Sequence, residues 1–234
     1  ERDINKAIHY LTLAANQNQP AVQTNLGNVY SNCKYMERDI NKAIHYYSLA
    51  ANQNDQNAQK NLGSIYYDCI YVERDINKAI HYLTLAANKN DPKTQTKLGN
   101  IYYEGKYIER DINKAIHYLT LAANQNHAIA QNNLGFIYSE GKYIERDINK
   151  AIYYLTLASN QNHPAAQNNL GIIYSEGKYI ERDINKAIHY LTLAANQNEP
   201  AAQINLGNIY LECKFIEGNI NKAIHYYSLA ANQN

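Results

Sequence analysis

The 234-residue chain has no tryptophan, three cysteines, four prolines and almost no excess of either charge. Each scarcity narrows what the protein does. Cys33, Cys69 and Cys213 are odd in number and stand at repeat-length separations, which is no disulfide framework. Lys plus Arg number 22 against 21 for Asp plus Glu, far from the basic balance needed to hold a phosphate backbone, so nucleic acid is not an expected ligand. No stretch approaches the roughly 18 consecutive apolar residues of a membrane span, and Glu1-Arg2-Asp3 lacks the basic-then-apolar layout of a signal peptide. Free thiols and the missing signal favour the cytoplasm, although the chain opens in mid-repeat and reads as part of something longer. Nor is there a nucleophile-base pair, a glycine-rich phosphate loop or an HExxH segment, so the expectation is no enzyme, no cofactor and no metal.

What is present is repetition. DINKAIHY begins at Asp3, Asp39, Asp75, Asp111 and Asp183, with DINKAIYY at Asp147 and NINKAIHY at Asn219. A second phrase, QxxLGxxY, alternates with it at Gln23, Gln59, Gln95, Gln131, Gln167 and Gln203. Two phrases in a 36-residue period predict two helices per repeat: helix A around Leu-Gly and helix B around Lys-Ala. The chain then divides into an orphan helix B at 1–18 and repeats 19–54, 55–90, 91–126, 127–162, 163–198 and 199–234, an all-α array of about 13 helices.

Local chemistry sets the boundaries. An aspartate such as Asp39 accepts orphan amides at the start of helix B, and Asn219 is expected to do the same in the last copy. Ile40, Ala43, Ile44, Tyr47, Ala50 and Ala51 then share one helical face, while Asn41, His45, Ser48 and Asn52 share the other. Asn18, Asn54, Asn90, Asn126, Asn162 and Asn198 close helix B, asparagine being tolerant of the left-handed conformation. Pro20, Pro92, Pro164 and Pro200 mark where helix A starts, since a first turn has no use for an amide hydrogen. A mid-helix glycine (Gly27, Gly63, Gly99, Gly135, Gly171, Gly207) costs about 1 kcal/mol against alanine, so it needs a close contact, for which Ala43 and Ala50 of helix B are the candidates.

In one copy, Ala130, Leu134, Gly135, Tyr138, Gly141, Asp147, Lys150, Ala151, Tyr154 and Ala158 resemble the pattern of the Sel-one-like repeat family, relatives of the tetratricopeptide repeats. The likeness recurs in phase over the whole chain. It departs from the family where tyrosine replaces the helix-B tryptophan and asparagine replaces the closing glycine. The resemblance implies a right-handed α/α superhelical solenoid serving as an adaptor, with no fixed ligand.

Three positions of helix A change from repeat to repeat and lie four and three residues apart, a stripe: Thr24, Asn28, Ser31; Lys60, Ser64, Tyr67; Thr96, Asn100, Tyr103; Asn132, Phe136, Ser139; Asn168, Ile172, Ser175; Ile204, Asn208, Leu211. In related two-helix repeats this surface lines a concave groove. Tyr67, Tyr103, Phe136, Ile172 and Leu211 would put apolar bulk there, joined by Asn100 and Asn208. Beside the stripe runs an amide ladder, Asn25, Asn61, Asn133, Asn169 and Asn205, broken by Lys97; it suits clamping a peptide backbone and equally suits bonding to the neighbouring repeat. His9, His45, His81, His117, His189 and His225 form another ladder on the polar face of helix B, too widely spaced to share a metal ion.

The leading expectation is a protein-protein interaction scaffold that takes a partner protein or peptide in the helix-A groove. The rivals are a spacer carrying a flanking domain such as a kinase, and, behind both, an RNA-reading array. Uncapped stacking faces at both ends also leave end-to-end self-association open.

Overall fold

The computed structural model describes residues 4–32, 37–68, 72–212 and 219–232. Every regular element among them is a helix: α1 (Ile4–Ala15), α2 (Pro20–Ser31), α3 (Ile40–Asn52), α4 (Gln56–Asp68), α5 (Ile76–Ala87), α6 (Pro92–Glu104), α7 (Ile112–Asn124), α8 (Ala128–Glu140), α9 (Ile148–Ser159), α10 (Pro164–Glu176), α11 (Ile184–Ala195), α12 (Pro200–Glu212) and α13 (Asn219–Ala231). Odd numbers are B helices and even numbers A helices. The three cysteines lie outside the described residues.

The boundaries follow from the terminal residues. Asp39, Asp75, Asp111, Asp147 and Asp183 each accept the backbone N–H three residues on, at 2.9–3.0 Å. That bond is the first cause holding each carboxyl below its ordinary pKa, with the lysine side chain adding to it. Asn219 departs from expectation: it is the first residue of α13, and it is buried. The closing asparagines all adopt left-handed φ, between 59° and 64°. Each proline is the first residue of its A helix. At the other end of the A helices, Arg38, Arg74, Arg110, Arg146 and Arg182 fold back so that Nε donates to a carbonyl of the last turn at 2.8–3.0 Å, placing a cation at the negative end of the helix dipole.

The chain forms two compact units, Glu1–Ala115 and Ile116–Asn234. In the first, the A-helix leucines Leu26, Leu62 and Leu98 are fully buried with Ala43, Ala50, Ala79 and Ala86 of the B helices. In the second, Leu134, Leu170 and Leu206 occupy the same place, with Ala151, Ala158, Ala187 and Ala194. Neighbouring A helices touch directly, α2 with α4 in the first unit and α8 with α10 and α10 with α12 in the second.

The helix-A glycines do meet helix B closely, and the nearest side chain is the one between the two alanines. A methyl added at Gly27 would lie 2.6 Å from the Tyr47 ring, at Gly63 2.6 Å from Leu83 Cγ, and at Gly135 2.5 Å from Leu155 Cγ. The residue midway between the two alanines projects furthest and enters the notch that glycine leaves.

A second device ties repeats together. Gln23, Gln59, Gln95, Gln131, Gln167 and Gln203 are buried, and each Nε2 donates to a carbonyl at the end of the preceding B helix at 3.0–3.4 Å. Their own carbonyls accept from the glutamine at the end of helix B in the same repeat: Gln53 to Gln23 at 2.8 Å, Gln161 to Gln131 at 2.6 Å and Gln197 to Gln167 at 2.7 Å. At Gln59 the donor position holds Lys89, which turns to the carbonyl of Asn54 instead. Gln59 Oε1 is accordingly the buried side-chain acceptor among the described residues with no partner.

Candidate functional site

The variable stripe separates into parts with different surroundings. Three of its six leading positions are interior: Thr24, Thr96 and Asn168 are buried, whereas Ile204 is 45% exposed, and Thr24 Oγ1 donates to Asp55 Oδ1 of the next repeat at 2.9 Å. At Thr24 and Asn168, sequence variation reflects matching across a junction rather than exposure. Further along, Phe136 (43% exposed), Asn208 and Leu211 (51%) are open to solvent, whereas Asn100, Tyr103 and Ile172 are half-buried.

The amide ladder is bonded repeat to repeat. Asn61 Nδ2 donates to Asn28 Oδ1 at 3.1 Å, and Lys97 Nζ in the same register reaches Ser64 Oγ at 3.0 Å. In the second unit the residues in this register before Asn169 and Asn205 are Phe136 and Ile172, whose side chains accept nothing. Asn169 therefore turns to Asn132 Oδ1 (3.2 Å) and Asn205 to Asn168 Oδ1 (2.9 Å). Asn133 accepts from Asn132 Nδ2 at 3.3 Å, and Asn25 is exposed on α2. The amide donors of Asn61, Asn169 and Asn205 thus serve the junction.

The first unit covers its own apolar candidate. The Tyr67 ring meets the edge of Tyr107 at 5.9 Å and lies 5.4 Å from Lys97 Nζ, which also pairs with Asp68 at 3.3 Å. Burial pushes the Tyr67 hydroxyl pKa up, the negative charge of Glu104 adding to it.

The second unit leaves openings. Phe136 of α8 and Ile172 and Ile173 of α10, with Ile148, Tyr179 and Ile180, wall a pocket of about 230 Å³, rimmed by Glu140 and Glu176. Beside it, Ile172, Ser175, Asn205, Asn208 and Glu212 border a more polar recess of about 510 Å³, again with Glu176 on the wall. Asn208 Oδ1 accepts from the Tyr227 hydroxyl at 2.8 Å. The structure therefore brings Phe136, Asn169, Ile172, Asn205 and Asn208 to two adjoining hollows, and leaves Asn25, Asn61, Tyr67, Asn100, Tyr103, Asn133 and Leu211 outside them.

Glu176, Tyr179 and Ile180 were not anticipated. The Gly-Lys-Tyr-Ile segment reads as a turn, and so it is, with Gly177 at φ 60°. Its tyrosine, however, folds toward the preceding repeat, and Arg146 stacks 4.1 Å from the Tyr179 centroid. Conservation of an aromatic in the turns at Tyr107, Tyr143 and Tyr179 was the available signal.

The six ladder histidines are exposed, and each lies edge-on to the next tyrosine at 5.1–5.5 Å, as His45 does to Tyr46. Among the described residues no three His, Cys, Asp or Glu side chains gather as metal ligands would. No helix among them is long and apolar enough to cross a membrane.

Paired helices with recurring caps and inter-repeat bonds define an α/α repeat protein. Comparison with known proteins identifies the kind. A model of the Sel1 repeat matches residues 1–19, 20–55, 56–91, 92–127, 128–163, 164–199 and 200–234, and the chain belongs to the Sel1 repeat family. It is similar to the crystal structure of a Sel1 repeat protein from Oxalobacter formigenes, at 30% identity and a TM-score of 0.83, covering 100% of this chain and 68% of that one. It is also similar to a protective antigen of uropathogenic Escherichia coli that displays an SLR fold, at 26% identity and a TM-score of 0.87. That match covers 97% of this chain but 48% of the antigen, about half its length. No curated protein sequence matches. Sel1 repeats are generally non-enzymatic scaffolds for protein interaction.

Proposed function

We propose that the chain is an adaptor that holds a segment of a partner protein on the A-helix face, with the second unit supplying the anchoring hollows. The observation that carries this reading is the pocket between α8 and α10, where Phe136 and Ile172 stand at positions occupied by Asn28 and Ser64 in the first unit. Polar residues at those positions bond to the neighbouring repeat, so the apolar substitutions give up a junction contact and create a surface that buries well only against another molecule. Direct contact between successive A helices supports the same face, because it places the anchors of adjacent repeats side by side.

The test is selection of a random 12-residue peptide library on the intact chain, followed by rebinding to Phe136→Asp and Ile172→Asp. Peptides that bind the wild type and lose at least about tenfold on either variant support the groove, as removal of a central anchor does. A chain that selects nothing, or peptides indifferent to both changes, would favour the spacer reading.

A further inference from the structure

We infer that the segment held at these hollows presents a lysine or arginine beside an apolar side chain, with Glu176 as its specific counter-charge; this rests on the groove reading above. Glu176 walls both hollows and is exposed, yet it forms no ion pair or side-chain hydrogen bond among the described residues. At the equivalent turns the arginine covers the last backbone carbonyl. Arg110 Nη2 donates to the Glu104 carbonyl at 3.1 Å, and Arg146 Nη2 to the Glu140 carbonyl at 2.8 Å. Arg182 stands in the same relation to Glu176 but sends Nη2 to Glu212 Oε2, 3.7 Å away. The last turn of α10 thus keeps a carboxylate, and a final carbonyl that its own arginine does not reach, at the negative end of the helix dipole.

Size and charge together select the occupant. The walled pocket of about 230 Å³ exceeds the roughly 150 Å³ that accepts a benzene-sized group, so it suits one leucine, methionine or phenylalanine side chain. A cation arriving next to it meets Glu176, with Glu140 on the same rim. Each hollow has one cation on its wall: Lys178 leans over Tyr179 with Nζ 5.2 Å from the ring centroid, and Arg182 is turned to Glu212. Acidic segments are disfavoured at the same place by like charge, which gives selectivity beyond simple apolar capture.

The peptide selection decides this when read for sequence. The expected winners carry Lys or Arg within four residues of an aliphatic or aromatic side chain. Their affinity falls about fivefold on Glu176→Gln, the upper range for an exposed ion pair. On Glu176→Lys the preference shifts to peptides with Asp or Glu at that place. Both variants are at an exposed position, so their helicity and unfolding midpoint are expected to match the wild type. Winners that lose binding on Phe136→Asp but lack a basic residue, or that ignore Glu176→Lys, overturn the charge assignment while leaving the groove standing. Winners indifferent to Phe136→Asp and Ile172→Asp, or no winners, overturn both.

Discussion

Gly135→Ala sets two opposed effects against each other at one atom. Replacing a mid-helix glycine of α8 by alanine gains about 1 kcal/mol of helix propensity in an unconstrained helix. Here the new Cβ falls 2.5 Å from Leu155 Cγ, 2.8 Å from Leu155 Cδ2 and 3.2 Å from the Ala151 carbonyl. Carbon atoms in contact prefer roughly 3.5–4.0 Å, so α8 and α9 must part by about 1 Å or Leu155 must leave its rotamer. The nearest atom is the branch carbon rather than a movable tip, and Leu155 is fully buried. Overpacking of this kind costs about 1–3 kcal/mol, so the net expectation is destabilisation of up to about 2 kcal/mol after the propensity gain. The assay is urea unfolding followed by circular dichroism, comparing Gly135→Ala, Leu155→Ala and the double variant. Leu155→Ala alone is expected to cost about 2–5 kcal/mol through its cavity. In the double variant the methyl at 135 occupies part of that space, so the combined loss falls short of the sum by at least about 1 kcal/mol. A stabilised Gly135→Ala chain, or strictly additive changes, would refute the notch as the reason for the glycine.

Three further outcomes follow from the junctions and caps. Lys89→Gln restores the donor facing Gln59 Oε1, and since an unsatisfied buried acceptor costs about 1–3 kcal/mol, it is expected to raise the unfolding midpoint in urea. The five helix-B cap aspartates have folded pKa values below the ordinary carboxylate value, so their stabilisation is complete above that value and drains away as pH falls through the folded one. The urea midpoint should therefore drop between about pH 5 and about pH 2.5, and Asp147→Asn should flatten that drop. His163 caps α10 by accepting the Ala166 N–H at its Nδ1 (3.3 Å), and burial lowers its pKa, so its contribution is present above the unfolded histidine pKa and is lost on acidification through the folded one. His163→Asp is expected to remove the loss of stability between about pH 7 and about pH 5, read from thermal melts in matched buffers.

Much of this architecture was legible in the sequence because its determinants are local. A cap aspartate, a left-handed asparagine and a first-turn proline act within a few residues of their own positions, so the helix boundaries could be placed from composition and spacing alone. The partner of the helix-A glycine was less accessible, since which of Ala151, Leu155 and Ala158 faces it depends on how the two helices cross. The stripe misled for a related reason. Thr24 and Asn168 vary between repeats yet are buried, because each is matched to a residue more than 30 positions away. The turn tyrosines reach the site only through the placement of one repeat against the one before. Phe136 and Ile172 stood out from sequence because they break a pattern that their own neighbours keep.

The glutamine relay has a consequence for how such a chain grows and shrinks. Each buried glutamine donates eight positions back, into the preceding 36-residue period, and where it accepts from a second glutamine the donor lies 30 positions on, within its own. Gain or loss of one whole period hands every glutamine to an equivalent mate, whereas any other insertion strands a buried amide. Length is therefore quantised: evolution can tune the reach of this scaffold in steps of one repeat while the buried glutamine contacts recur unchanged, and partial steps are screened out by the interior itself.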